Sequence, residues 1–174
     1  MSKLVIAGKT IEPGENLNID LPVALLHTQT PVNMPIQVRR GRKDGPVLFI
    51  SAAIHGDELN GVEIIRRLLK RKAIRSIKGT LIAIPIVNVH GFLNQSRYLP
   101  DRRDLNRYFP GNPNGSAAAR IAHSLFTDIV AHCDALVDLL SADDTERGNY
   151  IIGVDVLSGA KRVRVDLDEL LARI

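Results

Sequence analysis

An α/β fold with a mostly parallel central sheet flanked by helices is predicted by three features of this 174-residue sequence. Residues 47–54 and 79–88 are nearly all apolar, as in strands covered on both faces. Helical spacing separates them: Leu59, Val62, Ile65, Leu68 and Leu69 fall on one face, giving a strand, helix, strand unit with an expected right-handed crossover. A third apolar run, 135–140, follows a further helical stretch over 116–133 and supplies another strand.

In order, residues 1–46 are rich in Pro, Gly, Asn and β-branched residues and predict a β-rich segment of short, mostly antiparallel strands packed on the core. Turns are expected at Pro13-Gly14, at Pro22, between Pro31 and Pro35, and at Asp44-Gly45-Pro46. The α/β domain proper is assigned to 47–142. Its first helix is expected from Asp57 to about Lys72, with Asp57 and Glu58 at the positive end of the helix dipole. Residues 89–115 carry Asn, Arg, Asp, Tyr, Pro and Gly with no period, and a long irregular stretch inside a compact domain is usually functional. A C-terminal extension, 143–174, reads as a polar loop, a strand over 150–157, a turn at Ser158-Gly159, an alternating strand over 161–165 and one or two helical turns.

Composition narrows the function classes. At 45% hydrophobic residues the chain can bury one sizeable core, and no run approaches the ~18 apolar residues of a membrane span. A cytoplasmic protein with no membrane partner is therefore expected. Cys133, the one cysteine, cannot form an internal disulfide. The net charge of +4 raises nucleic acid as a partner, but Arg66, Arg67, Lys70, Arg71, Lys72, Arg75 and Lys78 crowd one helix end, where cations complement the dipole. Aromatics at 4% leave little to stack on bases, so no nucleic-acid partner is expected.

The chemistry is expected where the first apolar strand ends, in Ile54-His55-Gly56-Asp57-Glu58-Leu59-Asn60-Gly61. A His and a Glu three apart at a strand-to-helix junction can aim at one point, which suits zinc bound by imidazole nitrogen and carboxylate oxygen. The loop carrying Arg97, Asp104, Asn106 and Arg107 follows the second strand, and 138–141 end the third. Ligands in parallel sheets gather outside the carboxyl ends of the strands, so these three clusters should converge.

Gly45-Pro46-Val47 leading into the His55–Glu58 segment, then Arg97-Tyr98, then Asp104-Leu105-Asn106-Arg107-Tyr108-Phe109-Pro110-Gly111, resembles the succinylglutamate desuccinylase/aspartoacylase family of carboxypeptidase-like zinc hydrolases. The resemblance covers roughly residues 1–142. It implies that His55 and Glu58 are the first two zinc ligands and that Asp104 is the carboxylate orienting the histidine ring. It also implies that Asn106 and Arg107 hold a substrate carboxylate, and that Arg97 grips substrate or polarises the scissile carbonyl as a catalytic residue. The function it implies is zinc-dependent hydrolysis of an N-acyl amino acid or related amide or ester, with a small-molecule carboxylate as partner.

Two departures stand beside the resemblance. The family's third strand ends in Asp-Leu-His, whose histidine is the third zinc ligand, and here the run is Asp138-Leu139-Leu140. Asp138, His132, Asp143 and Asp144 are the candidate replacements. The family's catalytic glutamate lies beyond the matched region, where Glu146 and Glu169 sit in no recognisable motif. The alternative function is a non-catalytic, carboxylate-binding remnant or truncated fragment of the same fold. An edge strand at 161–165 would also allow pairing with another chain as an oligomer.

Overall fold

The computed structural model describes residues 3–140 together with the backbone of two strands, 152–155 and 161–162. A hairpin of β1 (Leu4–Ile6) and β2 (Lys9–Ile11) precedes a sheet ordered β3-β4-β6-β5-β7-β8-β9. Its members are β3 (Asn16–Leu25), β4 (Pro31–Arg40), β5 (Lys43–Ala52), β6 (Lys78–Ile84), β7 (Ala135–Leu139), β8 (Ile152–Asp155) and β9 (Lys161–Arg162). Among the described residues three α-helices accompany them: α1 (Asn60–Lys70), α2 (Val89–Asn94) and α3 (Ala117–Asp128).

The α/β class is as expected, but the sheet is mixed rather than mostly parallel. Among the described strands only β5 runs parallel to both of its neighbours, β6 and β7. The pairs β3–β4, β4–β6, β7–β8 and β8–β9 are antiparallel. The reason lies in the connections: a helix-bearing crossover joins β5 to β6 and returns the chain in the same direction, whereas β3 and β4 are joined by a short turn and must run oppositely. Through the β4–β6 ladder the N-terminal strands extend the sheet that carries the first apolar run.

Three of the expected turns are strand instead. Pro22 lies in β3, an edge strand, beside a register shift between Pro22 and Ala24. Pro35 lies within β4, opposite Asp20, but β4 pairs with β6 only from Gln37 to Arg40, so the missing N–H at 35 breaks no bond on that side. Pro46 falls where the β5–β6 register shifts between Lys43 and Val47. Each proline thus sits where the ladder is open or irregular. The turn at Pro13-Gly14 is present, with Gly14 at φ 83°.

Alternation divides the core between the faces of the sheet. Phe49, Ile82 and Ile84 point to one side with Met34, Ile36 and Val38, where Ala118, Ile121, Ala122 and Leu125 of α3 cover them. Ile50, Ala52, Leu81, Ala83 and Leu139 point to the other, against Ile64 and Ile65 of α1. Gly61 lets α1 approach closely, since a Cβ there would lie 2.8 Å from the Cβ atoms of both Ala52 and Leu139. Helix α3 begins at Ser116, whose hydroxyl accepts from the Ala119 N–H at 3.3 Å, a standard N-cap.

Helix α1 starts at Asn60, later than expected, so Asp57 and Glu58 precede it. The dipole role assigned to them passes to Glu63 in the first turn. Glu63 also pairs with Arg66 and Arg67 on the same exposed face, and those hydrogen bonds hold its carboxyl down at about 2. Cys133 is buried, and burial together with the Asp134 charge pushes its thiol up to about 12. No helix among the described residues is long and apolar enough to cross a membrane.

Candidate active site

Strand β5 ends at Ala52, and the chain turns abruptly at Ala53, which holds φ 51° in the left-handed region. Such a backbone costs a non-glycine residue about 1 kcal/mol. It is pinned from the segment that follows β6: the Val87 and Asn88 N–H groups donate to the Ala52 and Ala53 carbonyls at 3.1 and 2.9 Å. The turn delivers His55 and Glu58 to the end of the sheet, and both side chains are buried.

The expected convergence of the first two clusters is present. His55 Nδ1 lies 2.7 Å from Glu58 Oε1, and His55 Nε2 lies 3.1 Å from Asp104 Oδ1. Arg97 closes the group, with Nη2 donating to Asp104 Oδ2 at 3.4 Å and Nη1 at 3.8 Å from Glu58 Oε1. Asp104 is fixed in turn by the 3-10 turn Leu105–Arg107, whose Asn106 N–H donates to its Oδ1 at 3.0 Å. The side chain of Asn106 lines a cavity with Ile54, Phe109 and Asp138, while Arg107 is exposed and makes no ion pair among the described residues.

Two supports went unread in the sequence. Asn88 is buried, accepts from the Gly91 N–H at 2.8 Å and donates to the Arg97 carbonyl at 3.4 Å, so it ties the start of α2 to the backbone of Arg97. Its only signal was an amide ending an apolar run. Gly56 N–H donates to the Ser96 carbonyl at 3.0 Å, and its missing side chain lets α2 pass directly against the His55 turn. Helix α2 itself lies in the stretch read as irregular.

Burial alone would lower the pKa of His55. The Glu58 hydrogen bond and charge, then the Asp104 hydrogen bond, outweigh burial and the Arg97 charge, and the net position lies above the ordinary 6.5. For Asp104 burial acts upward, but His55, the Asn106 N–H and Arg97 together place it below 3.8. A raised histidine stabilises fully below 6.5 and loses that contribution as pH rises through its folded value; a lowered carboxylate stabilises above 3.8 and loses it as pH falls. The network should therefore contribute most between 3.8 and 6.5. In chelator-treated protein, the urea midpoint is expected to fall between pH 6 and pH 9, and the fall should be smaller in His55→Gln.

As a metal centre the donor set among the described residues is one short. His55 Nδ1 and Glu58 Oε1 have suitable chemistry, and Asp104 on the opposite ring nitrogen is the partner a zinc-bound imidazole normally has. Two ligands of a tetrahedral zinc stand about 3.4 Å apart, so this pair would open slightly around an ion. Among the described residues, however, no three His, Cys, Asp or Glu side chains gather so as to hold one. Leu140 is partly buried in the apolar core. Asp138 accepts from Ser51 Oγ at 2.7 Å, and His132 is exposed in the 3-10 turn Val130–His132, before β7 and so at the far end of that strand. Asp143, Asp144, Glu146 and Glu169 lie outside the described residues.

Residues 44–164 match the family model of the succinylglutamate desuccinylase/aspartoacylase catalytic domain. The chain belongs to this family. It is 32% identical over 115 residues to N-alpha-acetyl-L-2,4-diaminobutyric acid deacetylase of Halomonas elongata, covering 66% of this chain and 33% of that protein. Against succinylglutamate desuccinylase of Pseudomonas aeruginosa it is 28% identical over 123 residues, covering 68% and 36%. Among solved structures, a succinylglutamate desuccinylase/aspartoacylase from Rhodobacter sphaeroides superposes with a TM-score of 0.65 at 30% identity, over 74% of this chain and 40% of that one. The product-bound ectoine utilization protein from Ruegeria pomeroyi gives 0.64 at 30% identity, over 73% and 39%. The chain thus spans about a third of the length of these curated family members.

Proposed function

We propose that this chain carries the substrate-carboxylate site and two of the metal donors of an amide hydrolase acting on N-acyl amino acids or related amides and esters. The observation behind the reading is the buried group of His55, Glu58 and Asp104 closed by Arg97, with Asn106 and Arg107 on the adjoining turn. Arg97 and Arg107 grip the substrate's carboxylate, because a guanidinium fork matches it with two parallel hydrogen bonds. Asn106 offers an amide to the same group or to the acyl carbonyl beside it. The family's chemistry is zinc-dependent in general, and a catalytic zinc normally takes three protein ligands and a water. His55 and Glu58 supply two, so hydrolysis waits on a further donor. The ligand is a small molecule in the cytoplasm, and neither nucleic acid nor a membrane enters the reading.

A second reading, a carboxylate-binding protein of the same fold without turnover, is favoured by Leu140 alone. Calorimetry with N-acetyl amino acids and their C-terminal amides tests the shared part of both readings. The free carboxylates should bind and the amides should not, and Arg97→Ala or Arg107→Ala should each weaken binding at least about tenfold, or 1.4 kcal/mol. Equal affinity for acid and amide would sink the proposal. Amine release measured with added zinc then separates the readings, since retained binding without release selects the second.

A further inference from the structure

Strand β7 lies parallel to β5 in a register that pairs Phe49 with Leu136, Ser51 with Asp138 and Ala52 with Leu139. Side chains alternate along a strand. Leu139 faces α1, packing with Ala52 and Ile65. Leu136 and Asp138 face the other way, onto a cavity they share with Ile54 and Asn106. Position 140 is next on that second face, one step beyond the Ala52–Leu139 pair and level with the turn that carries His55. Leu140 is partly buried against the apolar cluster on that face, whose many members include Ile54 and Leu105. Those residues immediately precede His55 and immediately follow Asp104.

By this register an isobutyl group stands at the end of the sheet where the His55 turn begins, on the face a donor side chain would share with Asp138. Leucine offers no lone pair, and it contributes to the core instead. We infer that, among the described residues, Leu140 is the one that keeps the His55–Glu58 pair from closing into a three-donor zinc centre, and that a single imidazole at this position completes one. The inference rests on the proposed role of His55 and Glu58 as donors, but not on the carboxylate specificity assigned to Arg97 and Arg107.

The test is zinc competition against a chromogenic chelator with the full 174-residue chain. Wild type, Leu140→His, Leu140→Ala and the double variant Leu140→His/His55→Ala are compared, each checked for folding by circular dichroism. Losing even an outer partner of a metal ligand costs about 10–100-fold in affinity, so gaining a direct ligand should tighten zinc binding about 100-fold or more in Leu140→His. Leu140→Ala should bind as wild type does, and the double variant should lose the gain. Cobalt substitution gives a second readout, with intense tetrahedral visible bands expected in Leu140→His only. If the histidine variant does not fold, Leu140→Cys supplies a smaller donor for the same comparison.

Unchanged affinity in a folded donor variant overturns the inference. So does wild-type binding as tight as the variant's, or tight binding that survives His55→Ala. Carboxylate calorimetry is run separately without zinc, so loss of acid-over-amide preference would count against the substrate reading while leaving this one standing.

Discussion

Gly56→Ala is expected to cost about 3 kcal/mol of stability, the upper part of the range for overpacking a filled interior. A Cβ at 56 would lie 1.8 Å from the Gly91 carbonyl carbon and 2.2 Å from the Phe92 nitrogen. These are backbone atoms, so no rotamer change relieves the clash. Helix α2 would have to move off the His55 turn, breaking the Gly56 N–H bond to the Ser96 carbonyl and displacing Arg97 one residue on. The variant should therefore lose carboxylate binding as well as stability. Gly8→Ala is the control: it has open space around the added methyl but holds φ 73°, so it should cost only the roughly 1–2 kcal/mol of a left-handed backbone. Urea unfolding followed by circular dichroism ranks the two, and equal losses would mean that close approach at 56 does not govern the site.

His55→Ala is expected to be nearly as damaging, at about 3 kcal/mol, because it removes the group between two carboxylates. Glu58 and Asp104 would be left near one another in a largely buried place, with the half-exposed Arg97 as their shared counter-charge. In a domain of this size that loss corresponds to a fall in Tm of roughly 10 °C. Because the cost arises from stranded charge, His55→Ala combined with Glu58→Gln should recover part of it, whereas two independent losses would add. A His55→Ala variant within about 0.5 kcal/mol of wild type would show that the network carries little of the stability.

Much of this protein was legible in residues alone. The buried strands β5, β6 and β7 announced themselves by apolar runs, and α1 and α3 by spacing, because burial on two faces or along one stripe imposes those patterns directly. The His55–Glu58 turn and the block from Asp104 to Arg107 could be singled out because few alternatives suit such residue types at such spacing. Strand direction was not legible. Pattern reports that a strand is buried and says nothing of its neighbours' orientation, so the antiparallel β4–β6 pair emerged only in three dimensions. The prolines misled for a related reason: proline forbids one hydrogen bond, and whether that bond is needed depends on the partner strand opposite.

The site divides along the same line. Chemistry of single side chains was fixed by sequence: His55 and Glu58 can be donors, Arg97 and Arg107 can grip a carboxylate, and Leu140 can bind no metal. Tertiary structure decided which of them meet. It set Asp104 on the second nitrogen of His55, placed Arg97 across both carboxylates, left Arg107 at the surface, and packed Leu140 against the larger apolar cluster. It also revealed Asn88 and Gly56 as the supports beneath Arg97, because a buried hydrogen bond and a close backbone approach join residues whose separation along the chain carries no periodic signal.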